Sequence, residues 1–215
     1  MLSRSLFICL LLALLSGCQS IYYNIRESLG TPKRDILVHR VEDARDSQET
    51  AKEQFSTALE QFRSVIEFGG GTLEEKYDKL QTEYNRAEAR ADDVHERIAK
   101  VEHVAKALFK EWEKELDQYS DATLRRQSER RLEATQDRYE TLISAMKEAE
   151  DRIPPVLNTL RDRVLYLKHH LNARAIGALE DELDEIESDV SLLLKDMDRS
   201  IGEANRFLES MDSKQ

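Results

Sequence analysis

Cysteine is almost missing from this chain. Only Cys9 and Cys18 occur, both within the first eighteen of 215 residues. A body without thiols excludes a cysteine nucleophile, a thiolate metal site and a disulfide framework. Glycine (7) and proline (3) are scarce, so the chain has few points at which it can turn sharply. Aromatic residues make up only 7%. Positive charge is also in deficit: 32 lysines and arginines stand against 43 acids, a net charge of −11. That balance repels nucleic acid phosphates and anionic lipid, and no basic patch interleaved with aromatics offsets it. What remains is 35% charged and 40% hydrophobic, with the apolar residues spaced periodically. This is the composition of long, solvated helices with a narrow apolar seam.

The first eighteen residues have their own pattern. Arg4 supplies a short positive region, and Leu6 to Leu15 is an almost purely apolar run. About ten residues are too few to cross a hydrocarbon core, which takes about 20. A cleavable signal peptide is the expected reading. Leu15-Ser16-Gly17-Cys18 resembles the lipobox of bacterial lipoproteins. The resemblance implies removal of residues 1–17, a diacylglycerol on the Cys18 sulfur, and a mature chain one unit more acidic once Arg4 is gone. Three alternatives stay open: an ordinary signal peptide with a chance cysteine, an uncleaved anchor, or a Cys9–Cys18 disulfide. Gln19, where sorting patterns that retain lipoproteins at the inner membrane have Asp, implies export to the outer membrane. Residues 18–30 then form a tether. Its Tyr22 and Tyr23 either sit in the headgroup layer or cover the end of the helical body.

Residues 31–215 read as the helical body. Thr31-Pro32 is a good start for a helix over about 32–68. Its seam steps by four and three through Leu37, Val41, Ala44, Gln48, Ala51 and Phe55 to Phe62 and Val65. Gln48 interrupts that seam, either as a register device or as a tolerated edge position. Gly69-Gly70-Gly71 should end the helix and reverse the chain. The glycines lack the following Lys-Ser/Thr of a phosphate-binding loop. Thr72 and Glu75 form a capping box for the next helix.

That second helix is expected over about 73–152, with a seam running from Leu73 and Leu80 through Ile98 and Leu108 to Trp112. Tyr119-Ser120-Asp121-Ala122 permits a break, because Ser and Asp favour caps. The four-residue spacing of Leu116, Ser120, Leu124, Ser128 and Leu132 favours a kink near 120 within one near-continuous helix. Pro154-Pro155 should stop it and begin a last helix over 155–212. The expected fold is therefore all-α: an elongated antiparallel coiled coil or three-helix bundle with long, kinked helices. Folding at Pro154-Pro155 would set Arg125, Arg126, Arg130 and Arg131 against the acidic run Glu180 to Glu187.

Chemistry is hard to find. The five histidines, His39, His95, His103, His169 and His170, form no Glu-x-x-His pair and no His-Glu-x-x-His. No metal site, cofactor or catalytic residue is expected, and the chain does not read as an enzyme. One stretch stands out where the heptad slips, from Leu165 to Gly177. It holds adjacent histidines, Asn172, Arg174 and a mid-helix glycine. The slip serves either close packing or contact, and in the second case Lys168, His169, Asn172 and Arg174 would touch a partner.

Several segments carry a wider resemblance. Lys33-Arg34-Asp35-Ile36-Leu37-Val38, Arg40 to Gln48, Tyr119-Ser120, Tyr166-Leu167-Lys168-His169 and Leu171 to Gly177 are similar to a family of bacterial envelope lipoproteins that is known only as a domain of unknown function. The resemblance covers nearly the whole mature chain. It implies a helical, membrane-anchored envelope protein and transfers no activity. The expected role is structural: a periplasm-facing rod on the outer membrane, held by its N-terminal lipid, with an envelope protein as partner and self-association through exposed heptads. The alternative is an adaptor or chaperone-like module for a protein, peptidoglycan or lipid client.

Overall fold

The computed structural model describes residues 32–67, 72–169 and 183–212. They form four helices: α1 (Lys33–Glu67), α2 (Leu73–Leu116), α3 (Ala122–His169) and α4 (Leu183–Asp212). Each packs on its neighbours in sequence, and α4 closes the ring against α1. Cross-helix pairs fix the directions. Gln54 meets Glu83 and Arg97 meets Asp43, so α1 and α2 are antiparallel. Lys147 with Glu102 sets α2 against α3, Arg152 with Asp196 sets α3 against α4, and Lys52 with Asp198 sets α4 against α1. All four contacts are antiparallel, the arrangement of an up-down-up-down bundle.

The all-α antiparallel class stands, while the helix boundaries differ from the sequence expectation at two places. The first is 117–121, where the chain breaks and reverses instead of passing through a kink. Asp121 is the reason. Its carboxylate accepts from the backbone N–H groups of Thr123 (2.6 Å) and Leu124 (3.2 Å), and its carbonyl accepts from Arg125 (3.0 Å). That N-cap starts α3 afresh. The reversal lets α3 cover α2: Trp112 donates its indole N–H to Ser128 at 2.8 Å, and Phe109 meets Tyr139 edge-on, ring centres 5.4 Å apart.

The second place is Pro154-Pro155, which lies inside α3 and does not end it. Both prolines face solvent, so the carbonyls of Glu150 and Asp151 that lose a donor lie on the wet side of the helix. The seam also continues unbroken through Ile153, Val156, Leu160, Val164 and Leu167, all buried. Each such side chain is worth about 1.5–3 kcal/mol, and together they outweigh a helix penalty of about 3 kcal/mol per proline. The α3–α4 register follows from Arg152–Asp196 and Arg199–Glu148. Arg125 to Arg131 therefore do not face the acidic run. Glu187 pairs with Arg63 of α1, Arg125 pairs with Asp117, and Glu180 to Glu182 lie outside the described residues.

The first reversal behaves as expected. Glu75 N–H donates to the Thr72 hydroxyl (3.2 Å) and Thr72 N–H to the Glu75 carboxylate (2.8 Å), a complete capping box. Lys76 reaches back to the Val65 carbonyl at 2.8 Å and closes the end of α1. Gly69, Gly70 and Gly71 lie outside the described residues.

The core runs the length of the bundle, with Phe55, Phe62, Ile98, Met146 and Leu193 wholly buried or nearly so. One polar pair interrupts it. Ser200 donates its hydroxyl to the Gln48 carboxamide oxygen at 2.8 Å, and both residues are fully buried. Gln48 is thus no edge position. Its Nε2 finds no acceptor among the described residues, and an unmade hydrogen bond of this kind costs about 1–3 kcal/mol. The pair ties α1 to α4 in one register at the expense of stability.

Two outcomes follow from this geometry. The double variant Gln48→Met/Ser200→Ala should unfold at higher urea, by about 1–2 kcal/mol; a clear loss of stability contradicts the account of the pair. Cysteines at Lys52 and Asp198 should be joined by a short bifunctional cross-linker, whereas cysteines at Arg126 and Leu183 should not.

Candidate functional site

The contact stretch expected from the sequence is only partly described. Lys168 and His169 end α3, and both are exposed beside exposed Leu165 and Tyr166. Asn172, Arg174, His170 and Gly177 lie outside the described residues, as does Cys18.

Midway along the body, α2 and α3 form a groove beside the proline pair. It is lined by Tyr84, Glu88, His95, Glu150, Pro154 and Arg161, among others. Glu150 sits between His95 and Lys147 and bonds to both. Tyr84 donates to Glu88 at 2.7 Å. Burial, then the bond to Glu88, pushes the Tyr84 hydroxyl up to about 12. Burial, then the charge of Glu102, does the same to Tyr139. Neither phenol is a base near neutral pH. Among the described residues no group of three His, Cys, Asp or Glu side chains could hold a metal ion.

The sequence reading missed a third place, at the end of the bundle where α1 begins. Lys33 pairs with Glu111 at 2.9 Å, and Arg34 donates to the Met211 carbonyl, so α1 starts and α4 stops at the level of Glu111. The α2–α3 hairpin runs on beyond them. Its inner side carries Trp112, Tyr119, Leu124, Ser128, Arg130 and Arg131 around an open cavity of about 530 Å³. A narrower recess of about 210 Å³ shares Trp112 and Arg131 and leads in between Arg34, Thr135, Ser210 and Met211. Tyr119 is 42% exposed and Leu124 51%. The signal was the arginine cluster beside aromatics, which the sequence reading had used up as a register device. Chemically this end sets the exposed Tyr119 and Leu124 beside the cations Arg130 and Arg131, a combination that can hold an amphiphile or an anion.

Fold and site together define an all-α, antiparallel helical-bundle protein with an open cavity at its hairpin end. The chain belongs to the family described as "Protein of unknown function (DUF2959)", which matches residues 22–211. No curated protein and no solved structure matches it.

The tyrosines give a pH test. A phenol held neutral in the folded state and free at 10.0 in the unfolded chain stabilises folding below that value and loses the contribution as pH rises toward about 12. Unfolding free energy should therefore fall between pH 10 and about 12, and Tyr139→Phe should flatten that fall. An ultraviolet titration in which every phenol ionises near its free value sinks this reading.

Proposed function

We propose that this is a lipid-anchored bacterial envelope protein of the outer membrane, facing the periplasm, whose role is structural and interactive rather than enzymatic. The observation that carries the reading is Leu15-Ser16-Gly17-Cys18 at the end of a short apolar run. Several features support it. No helix among the described residues is long and apolar enough to cross a membrane. The body offers stiff helices of 35, 44, 48 and 30 residues. An acidic, stiff body suits spacing and contact with an envelope protein or a second copy of the chain, and it disfavours nucleic acid. No catalytic residue or cofactor is part of the proposal.

A second reading has its own support. Tyr119, Leu124, Leu165, Tyr166 and Leu192 are large apolar side chains left exposed. They favour an adaptor or chaperone-like module that holds a protein, peptidoglycan or lipid client. Binding of a polarity-sensitive dye that saturates, and is displaced by a client, separates this reading from the purely structural one.

The anchor is tested directly. Feeding bacteria a clickable fatty acid should label the wild-type chain, and Cys18→Ser should abolish the label and release the protein from the membrane fraction. Gln19→Asp should move the labelled protein to the inner membrane. Labelling that survives Cys18→Ser overturns the assignment. Cross-linking in the intact envelope, followed by co-purification, should recover a protein partner.

A further inference from the structure

We propose that the hairpin end from Trp112 to Arg131 is a second membrane contact, in which arginines take phosphate headgroups while Tyr119 and Leu124 enter the interfacial layer. The inference rests on the lipid-anchor reading above, and it adds an orientation to it. Three independent observations carry it.

The first is charge. The opening ten residues of α3, Ala122–Arg131, hold four arginines and one acid, in a chain with net charge −11. Arg125 is bound to Asp117. Arg126 reaches only the Thr123 hydroxyl, at 3.5 Å, and Arg130 and Arg131 meet no carboxylate among the described residues. The hairpin Trp112–Arg131 as a whole holds five acids against five cations and is neutral; Asp117 is held by Arg125, Glu113 by Gln136 and Asp121 by the cap of α3, while Glu115 and Glu129 have no such bond among the described residues. Guanidinium groups without partners match phosphate oxygens two at a time.

The second is apolar exposure beside those charges. Tyr119 and Leu124 flank the cavity that Arg130 and Arg131 border. Aromatic and aliphatic side chains next to arginine suit the headgroup boundary, where one part of the surface is apolar and the other wet.

The third is position. The hairpin projects past the start of α1, and thirteen residues separate Pro32 from Cys18. Their contour cannot exceed about 45 Å. A lipid on Cys18 therefore holds this end near the bilayer, where even weak contacts act at high effective concentration. Each arginine near an anionic surface contributes about 1 kcal/mol. The rest of the chain holds the whole net charge of −11 and is repelled by the same surface, whereas the hairpin is neutral, so the tip is the approach that electrostatics opposes least.

The test uses the full, acylated chain in vesicles of phosphatidylethanolamine and phosphatidylglycerol. Acylation consumes the Cys18 thiol, so Leu124→Cys is a single site for a nitroxide label. Leu192→Cys, far from the tip, is the control. At position 124 the ratio of collisions with dissolved oxygen to collisions with an aqueous nickel chelate should rise several-fold over that at 192. Adding Arg126→Glu, Arg130→Glu and Arg131→Glu should return it to the control value, with circular dichroism unchanged. A label at 124 as open to nickel as the control overturns the proposal while leaving the anchor intact. A second measurement uses the chain with Cys9→Ser and Cys18→Ser. Shielding at 124 without vesicles means that the protein's own N-terminal residues, or a second copy, fill the cavity, and this also overturns it. If mass spectrometry finds Cys18 unacylated, the anchor reading falls by itself. The same label on the free chain then decides the tip. Shielding that appears with vesicles and is lost in high salt supports the contact, and no shielding refutes it.

Discussion

Phe55 and Phe62 sit in the middle of the apolar stripe of α1, and neither has any exposed surface. One neighbouring helix cannot achieve that. A stripe about 100° wide has two flanks; α2 covers one and α4 the other. The same holds around the ring, since α3 is covered only where α2 and α4 both lie against it. A helix of this composition is marginal alone in water, so its stability comes from burying the stripe against partners. Closure between the first and last helices is therefore the constraint on which the others depend.

Closure also needs a register, and leucine-like seams are poor at setting one because a slide by one turn exchanges like for like. The chain answers with unlike pairs placed at intervals along the α1–α4 contact: Lys52 with Asp198, Arg63 with Glu187, Arg45 with Asn205, and Ser200 with Gln48 in the core. The exposed ion pairs contribute about 0.2–1 kcal/mol each, so they select the alignment more than they hold it. The buried pair acts differently. It leaves the Gln48 Nε2 without an acceptor among the described residues, but a slide of α4 along α1 would also take the Ser200 hydroxyl from the Gln48 oxygen.

The helical class, the reversal between α1 and α2 and the capping box were legible in the sequence because each is local. A seam needs only its own spacing, and Thr72 needs only Glu75. The two misread junctions depended on what lies across the fold. Asp121 reads as a weak cap until α3 lies back on α2, when the contact of Phe109 with Tyr139 and the bond from Trp112 to Ser128 favour reversal. Pro154-Pro155 reads as a stop until the seam is counted through Ile153, Val156 and Leu160, which keeps the prolines on the solvent side. One wrong junction carried the other with it. Placing the turn at the prolines gave Arg125 to Arg131 an acidic partner, and so hid the open hairpin end that they border.

An even number of antiparallel helices brings the chain back to where it started: α1 begins and α4 ends at one pole, while α1 ends and α4 begins at the other. This decides how the bundle would answer to force. A pull applied at the pole where α1 ends and α4 begins, against an attachment upstream of Pro32, runs parallel to the helix axes. The seams are then loaded in shear, and many side-chain layers must slip together. A pull between the start of α1 and the end of α4 would instead peel those two helices apart one layer at a time. The topology thus makes the molecule stiff along its length and weak at the junction of its first and last helices.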